Sequence, residues 1–305
     1  MSAPLWVGVA TAVTRLLPRG RYRALQWLAG RAAPAPFWAR APGTLGGFRW
    51  HCDLRDAIAR EVCYTGCYEP PETALVQSIL RPGATFVDVG ANWGYFTLLA
   101  ACQLGDAGRV VSLEPDPRLF ATLQANLAEN RLTTVRPVQV AAHRTNGPVS
   151  LTGFSEAEGN FGLSRLTADS QATSGFTVTA RTLDDLLQEL AITNVDLVKM
   201  DIEGGEGFAL RGLSRSLAGG HIRRVLLELH PEYLPAHGYT VASAVLPLLD
   251  AGLEPWTVDH SASAYRRALG WRGNASRFLT PWDRLSPLGA WPHLLWTLPG
   301  DRPTV

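Results

Sequence analysis

The segment Phe86-Val-Asp-Val-Gly-Ala-Asn-Trp-Gly-Tyr95 has residue types suited to holding a ligand at a turn. An apolar run leads into Gly90 and Gly94, where the missing Cβ permits positive φ and close approach of a ligand to the backbone. The G-x-x-x-G spacing is neither the G-x-G-x-x-G of dinucleotide sites nor the G-x-x-x-x-G-K-[ST] of phosphate loops. A ligand without phosphate suits it. Glu114 follows Gly94 by twenty residues, just past a second apolar run, and a carboxylate there can accept from both ribose hydroxyls. Ribose without phosphate points to S-adenosylmethionine, with Asp88 facing its cationic amino-acid end and Asn92 in the same turn. In the competing view Asp88 and Glu114 merely cap the helices that follow them.

A second group lies further along. Lys199 is the only lysine in the chain and sits within the apolar run Val195-Asp-Leu-Val-Lys-Met200, so its ammonium must be paired or its pKa depressed. Side chains on a strand repeat every two residues, which puts Lys199 and Asp201 on one face, and Glu228 and His230 on one face of the next strand. Asp201, Glu203, Glu206 and His230 all fall at or just past strand carboxyl ends, where ligands bind in such sheets. Three readings stand open. His230, or a Lys199/Asp201 pair, takes a proton from a substrate hydroxyl. Alternatively Asp201, Glu203 and His230 hold a divalent cation that acidifies that hydroxyl. In the third, Lys199–Glu228 is a structural ion pair and His230 caps a turn. The first is preferred: Lys199, Asp201 and His230 as catalytic residues, Glu203 and Glu206 shaping the substrate site, and no metal assigned.

These groups need elements to hold them. Apolar runs at 85–89, 110–113, 138–142, 195–200 and 225–229 alternate with helical segments at 95–104, 119–129 and 184–190. The runs are continuous rather than alternating, as expected of parallel strands covered on both faces. The expected fold is α/β, a doubly wound and mostly parallel sheet. Residues 149–152 and 176–181 form a β-hairpin-like insertion; its loop 156–174, with Asn160 and Arg165, is the expected lid over the acceptor. Residues 1–80 are expected as an N-terminal helical extension, 81–281 as the main domain with 274–281 its last strand, and 282–305 as a Trp-containing tail.

Residues about 50–281 resemble the FkbM-type family of class I S-adenosylmethionine-dependent methyltransferases. The resemblance rests on Phe86-Val-Asp-Val-Gly-Ala-Asn-Trp-Gly, Leu113-Glu-Pro-Asp-Pro117, Arg181-Thr-Leu-Asp-Asp-Leu186, Val195-Asp-Leu-Val-Lys-Met-Asp-Ile-Glu-Gly-Gly-Glu206 and Leu226-Leu-Glu-Leu-His230. It implies a Rossmann-like fold and methyl transfer to a hydroxyl oxygen of a sugar, glycan or secondary-metabolite scaffold. For the cofactor it implies contacts from Asp88, Gly90, Asn92, Gly94, Glu114 and Asp201. Adenine would lie beside Ala142, where similar proteins often carry Ser-Asp and this chain has Ala142-His-Arg-Thr-Asn-Gly147. A non-catalytic S-adenosylmethionine-binding subunit or scaffold is the alternative.

Composition narrows the partners. The 305 residues are 46% hydrophobic and 18% charged, with a formal charge of +1. Residues 1–52 hold seven Arg and no acidic residue, leaving a net of −6 on the remainder, which disfavours nucleic acid as a substrate. Four cysteines are too few for a disulfide scaffold, and reduced thiols in a cytoplasmic protein are expected. Leu5, Trp6, Val9, Val13 and Leu16 recur at helical spacing ahead of the Arg cluster. Such a segment within 1–23 either touches an anionic membrane surface peripherally or packs on the protein. Its uncharged stretch is too short to span a bilayer. Oligomeric state and the identity of the acceptor are not readable from the sequence.

Overall fold

The structure, a computed structural model, describes residues 2–17, 20–153, 159–161, 164–167, 175–271, 273–284 and 286–301. Two helices lead the chain, α1 (Leu5–Leu16) and α2 (Arg21–Ala29), followed by a hairpin of β1 (Phe37–Arg40) and β2 (Arg49–Cys52). Helix α3 (Ala57–Thr65) is capped by the Asp56 carboxylate, which accepts from Ala59 N, and α4 (Pro70–Ile79) opens with prolines. Then come β3 (Thr85–Val89), α5 (Tyr95–Leu104), β4 (Arg109–Leu113), α6 (Pro117–Glu129) and β5 (Val135–Val138).

A small sheet interrupts the alternation. It contains β6 (Ala141–Ala142), β7 (Gly147–Thr152), β8 (Arg165–Leu166) and β9 (Gly175–Arg181), in the order β6-β9-β7-β8. The chain resumes with α7 (Leu183–Glu189), β10 (Leu197–Met200), α8 (Glu206–Arg211), α9 (Ser214–Ala218) and β11 (Arg224–Glu228). It then passes through α10 (Val241–Asp250), β12 (Glu254–Val258), α11 (Ala262–Ala268), β13 (Leu279–Pro281) and β14 (His293–Thr297).

The central sheet has eight strands in the order β13-β12-β14-β11-β10-β3-β4-β5. Strands β5, β4, β3, β10 and β11 are parallel, whereas β14, β12 and β13 pair antiparallel. The chain builds outward from β3 through β4 to β5, then returns to the other flank of β3 as β10. The carboxyl ends of β3 and β10 therefore form a topological switch point, where a ligand crevice opens. Both faces are dry: Phe86, Leu197 and Leu226 join one core, while Val87, Val198 and Val225 join the other. Each such side chain contributes about 1.5–3 kcal/mol on burial, and the two-sided covering explains the unbroken apolar runs.

Several expectations need correction. The run 138–142 is not one strand: Val138 ends β5 in the central sheet, and Ala141–Ala142 begins the small one. Within 274–281 only Leu279–Pro281 is a strand, at the sheet edge, preceded by a short 3-10 turn. Residues 293–297, in the expected tail, instead form the fully buried β14 between β11 and β12. The N-terminal extension is helical but includes the unforeseen hairpin, which reaches the glycine turn by stacking Trp50 on Trp93 at 4.6 Å. Of the expected lid, residues 156–158, 162–163 and 168–174 lie outside the described residues. Among the described residues no helix is long and apolar enough to cross a membrane. All four cysteines are free thiols.

Candidate functional site

Strand β3 runs directly into the glycine turn. Gly90 has φ +82, and a Cβ there would stand 1.9 Å from the Asp201 carbonyl oxygen; at Gly94, φ +101, it would stand 2.6 Å from Leu123 Cδ1. Both glycines thus make room for neighbouring protein. Gly90 lines the cleft, whereas Gly94 opens α5 and does not. Asn92 occupies the left-handed region at φ 53, a conformation that is costly for a residue other than glycine. Its backbone N–H donates to Glu114 Oε2 at 2.8 Å, and Asp116 N donates to Glu114 Oε1 at 2.8 Å. Burial pushes the Glu114 carboxyl up to about 8 against these two donors.

Asp88 does not reach the cleft. It lies beneath it, accepting from Thr97 Oγ1 at 2.7 Å through Oδ2, while Oδ1 is buried and has no hydrogen-bond partner among the described residues. Burial raises its pKa. Register places Asp88 beside Lys199 on the adjoining strand.

Lys199 and Asp201 share a face as expected. Lys199 Nζ donates to Asp201 Oδ2 at 3.1 Å and stands 4.8 Å from the Phe96 ring centroid. Its ion-pair partner is Asp201, not Glu228. Burial acts to lower the Lys199 pKa, but the carboxylates of Asp201, Glu69, Asp88 and Glu228 outweigh it and hold the ammonium above its ordinary value. Lys199 is a fixed cation, and the expected role as a neutral base is withdrawn.

His230 follows β11 and is wrapped in carboxylates. Glu206 Oε1 is 2.7 Å from its Nδ1, while Glu203 Oε2 and Asp201 Oδ1 lie 3.5 and 4.0 Å from its Nε2. Burial lowers its pKa and these acids overcome that, raising it to about 9. The imidazole is therefore protonated at neutral pH, which removes it as the first proton acceptor. Glu206 is buried outside the cleft lining and also accepts from Gly204 N at 3.0 Å, so it supports His230 rather than touching a substrate. Glu203 does line the cleft, is held at φ 52, and is pushed by burial up to about 7.

These groups meet in a cleft of about 1340 Å³, mouth included. Gly90, Asn92, Glu114 and Ala142 line it together with Lys199, Asp201, Glu203 and His230. Asn160 lines it, but Arg165 does not, its guanidinium lying 4.4 Å from the Tyr233 ring centroid. Sequence reasoning missed Tyr68, Phe96 and Tyr233 as lining residues, because no spacing marks them. Trp291 stands at the mouth with 59% of its surface exposed, set apart from the other tail tryptophans, of which Trp296 is wholly buried. Asp201, Glu203 and His230 bring ligand atoms within 4.8 Å of one another, as a cation-binding arrangement would require.

Residues 88–245, more than half of the chain, match the family model described as the methyltransferase FkbM domain. The chain belongs to the FkbM methyltransferase family. It is 30% identical to "Methyltransferase 1" of Beauveria bassiana over 146 residues, covering 42% of this chain and 57% of that protein. It is 29% identical over 225 residues to "31-O-demethyl-FK506 methyltransferase FkbM" of Streptomyces tacrolimicus, covering 62% and 83%. A solved methyltransferase FkbM from Methylobacillus flagellatus aligns at 15% identity and a TM-score of 0.42, covering 90% of this chain and 58% of that one.

An FkbM methyltransferase domain uses S-adenosylmethionine, and the residues present fit that cofactor. The Glu114 carboxylate, fixed by two backbone donors, retains lone pairs for ribose hydroxyls. Leu119, Val140 and Ala142 give an apolar wall for a flat base, and anionic Asp201 faces the cleft for a cationic amino-acid end.

Proposed function

We propose that this FkbM-family protein methylates a hydroxyl oxygen on a small molecule or glycan. The observation that carries this reading is the placing of Glu203, a cleft-lining carboxyl whose Oε2 is 3.5 Å from His230 Nε2 and whose pKa burial raises to about 7. A general base is most effective when its pKa lies near the working pH.

The bound cofactor supplies an electrophilic methyl group on a sulfonium. Glu114 would hold its ribose, and Asp201, kept ionised by Lys199, would meet its cationic end. The acceptor enters past Trp291 and Tyr233, whose flat faces suit a sugar or other ring. Glu203 would accept the acceptor's hydroxyl proton as the oxygen took the methyl group from the sulfonium, the S–CH3 bond breaking and S-adenosylhomocysteine leaving as a neutral thioether. The His230 imidazolium, held by Glu206, donates toward Glu203 or the acceptor oxygen and keeps the negative charge in place. Lys199 acts as a buried counter-charge beneath them.

The test is incubation with S-adenosylmethionine and a panel of hydroxylated sugars and macrolactones, with products read by mass spectrometry and alkaline stability. An alkali-stable methyl ether, lost in Glu203→Gln and reduced in His230→Ala, is the expected result. Methylation at nitrogen or carbon, or full activity in Glu203→Gln, would overturn the assignment.

A further inference from the structure

On the Lys199 side of the sheet a second group of side chains gathers, joined to the first through Glu228, whose Oε1 also lies 3.7 Å from His230 Nε2. Glu228 and His293 stand directly opposite on antiparallel β11 and β14, with Glu228 Oε1 3.4 Å from His293 Nε2. Glu69 approaches from the start of α4, and the three offer ligand atoms within 4.8 Å of one another.

Three observations set this group apart from an ordinary ion-pair cluster. Glu69 is only 6% exposed, yet among the described residues its Oε2 has no hydrogen-bond partner. It occupies the N-cap position of α4 without capping it, and its backbone is forced to φ 42. A buried carboxyl with no donor on one oxygen stays charged only beside cations; Lys199 and His293 supply part of that field, and a bound metal ion would complete it. Finally, His293 Nδ1 lies 3.1 Å from Glu72 Oε1, and Glu72 is 1% exposed and also bonded to His260 Nε2. A carboxylate on one ring nitrogen fixes the tautomer and turns the other nitrogen toward a metal. Here that other nitrogen, Nε2, lies 3.4 Å from Glu228 Oε1, and the two carboxylates hold the ring protonated, so a metal ion would displace the Nε2 proton.

We infer that Glu69, Glu228 and His293 Nε2 form a divalent-cation site, with Glu72 as the carboxylate that orients His293. One imidazole with two carboxylates suits Mn²⁺ or Zn²⁺ better than Mg²⁺, which favours oxygen ligands and bound water. A grouping of Glu72, His260 and His293 shares His293 but would use Nδ1, already engaged with Glu72. Glu228 also lines the cleft. On the reading that this cleft receives a methyl acceptor, an open coordination position there meets the acceptor's oxygens and fixes which hydroxyl faces the methyl group.

The experiment measures binding alone, without cofactor or acceptor, so it is independent of methyl transfer. Chelator-stripped full-length protein is titrated with Mn²⁺, and free ion is followed by electron paramagnetic resonance. One tight ion per chain is expected, with paramagnetic broadening of the His293 ring signals in the unmutated protein. Glu69→Gln and His293→Gln should each weaken binding at least tenfold, while Asp201→Asn leaves it within twofold. Absence of binding, or no broadening at His293, overturns the site even where a variant fails to fold. Loss in Asp201→Asn with retention in Glu69→Gln would move the ion to Asp201, Glu203 and His230 and equally overturn it.

Discussion

His230 Nδ1 and Glu206 Oε1 lie 2.7 Å apart, both side chains buried, and the contact spans the end of β11 and the start of α8. It fixes which face of the imidazole turns to Glu203 and the cleft. Glu206→Gln should therefore lower kcat at least tenfold while cofactor affinity stays within twofold. Ring ¹⁵N signals of His230 should show the loss of its doubly protonated form. Unchanged kcat together with unchanged ring signals would mean that the pair is merely structural.

The carboxyl of Glu203 gives the reaction a pH dependence. Its folded value is raised to about 7, and only the ionised form accepts a proton, so kcat should rise from pH 6 to 8 and then level. Glu203→Gln should remove that limb and reduce turnover by about 10²–10⁴-fold. A flat profile in the unmutated enzyme would place the base elsewhere.

Cofactor binding should carry its own proton signature. Glu114 has a folded pKa of about 8, and ribose hydroxyl donors favour its ionised form, so binding below that pH expels a proton. Affinity for S-adenosylhomocysteine should then increase between pH 6.5 and 8.5. Calorimetry in two buffers of different ionisation enthalpy should reveal the release. Glu114→Gln, which turns an amide toward one of the two backbone donors, should weaken binding by about 2 kcal/mol.

Trp291 is a separable acceptor contact. Its exposure at the cleft mouth, with Nε1 donating to Glu232 Oε1 at 3.2 Å, leaves a ring face for a substrate. Trp291→Ala should raise the acceptor KM about tenfold, with little change in thermal stability or in cofactor affinity. Equal effects on both ligands would show that the ring shapes the whole cleft.

Leu5, Trp6, Val9, Val13 and Leu16 of α1 and Trp27 of α2 are exposed, as are Arg23 and Arg31. Arg15 and Arg21 are instead spent on carbonyl oxygens, Arg15 Nη2 donating to Cys63 O at 2.8 Å and Arg21 Nε to Leu17 O at 3.0 Å. We expect this face to bind anionic phospholipid vesicles at low salt, with Trp6→Glu and Leu16→Glu each weakening co-sedimentation several-fold. A salt-insensitive association between protein molecules would point to self-pairing instead.

The sequence made legible what one stretch of chain carries by itself. Gly90, Asn92 and Glu114 are joined by a strand, a turn and a helix, and Lys199 and Asp201 share a face because strands repeat every two residues. What escaped depends on contacts across distant chain. Glu69 lay in the expected helical extension and His293 in the expected tail; only β14 entering the sheet beside β11 brings them together. The sequence left the charge state of Lys199 open between pairing and a depressed pKa for the same reason. Burial alone argues for a lowered pKa, and the acids that reverse it come from α4, β3 and β11 as well as its own strand. The split at Val138 and Ala141 escaped because β-propensity does not say when a chain changes sheets.

Strand order also has a consequence during synthesis. β12 and β13 leave the ribosome before β14, yet β12 reaches the rest of the sheet only through β14. A nascent chain that has emerged only as far as β13 therefore has the apolar edge of β11 unpaired and two strands with nowhere to dock. When residues 293–297 appear, one event closes that edge, recruits β12 and β13, and delivers His293 opposite Glu228. Ribosome stalling just before this strand would leave the chain at its most aggregation-prone, and completion of the sheet and of the Glu228–His293 pair would coincide.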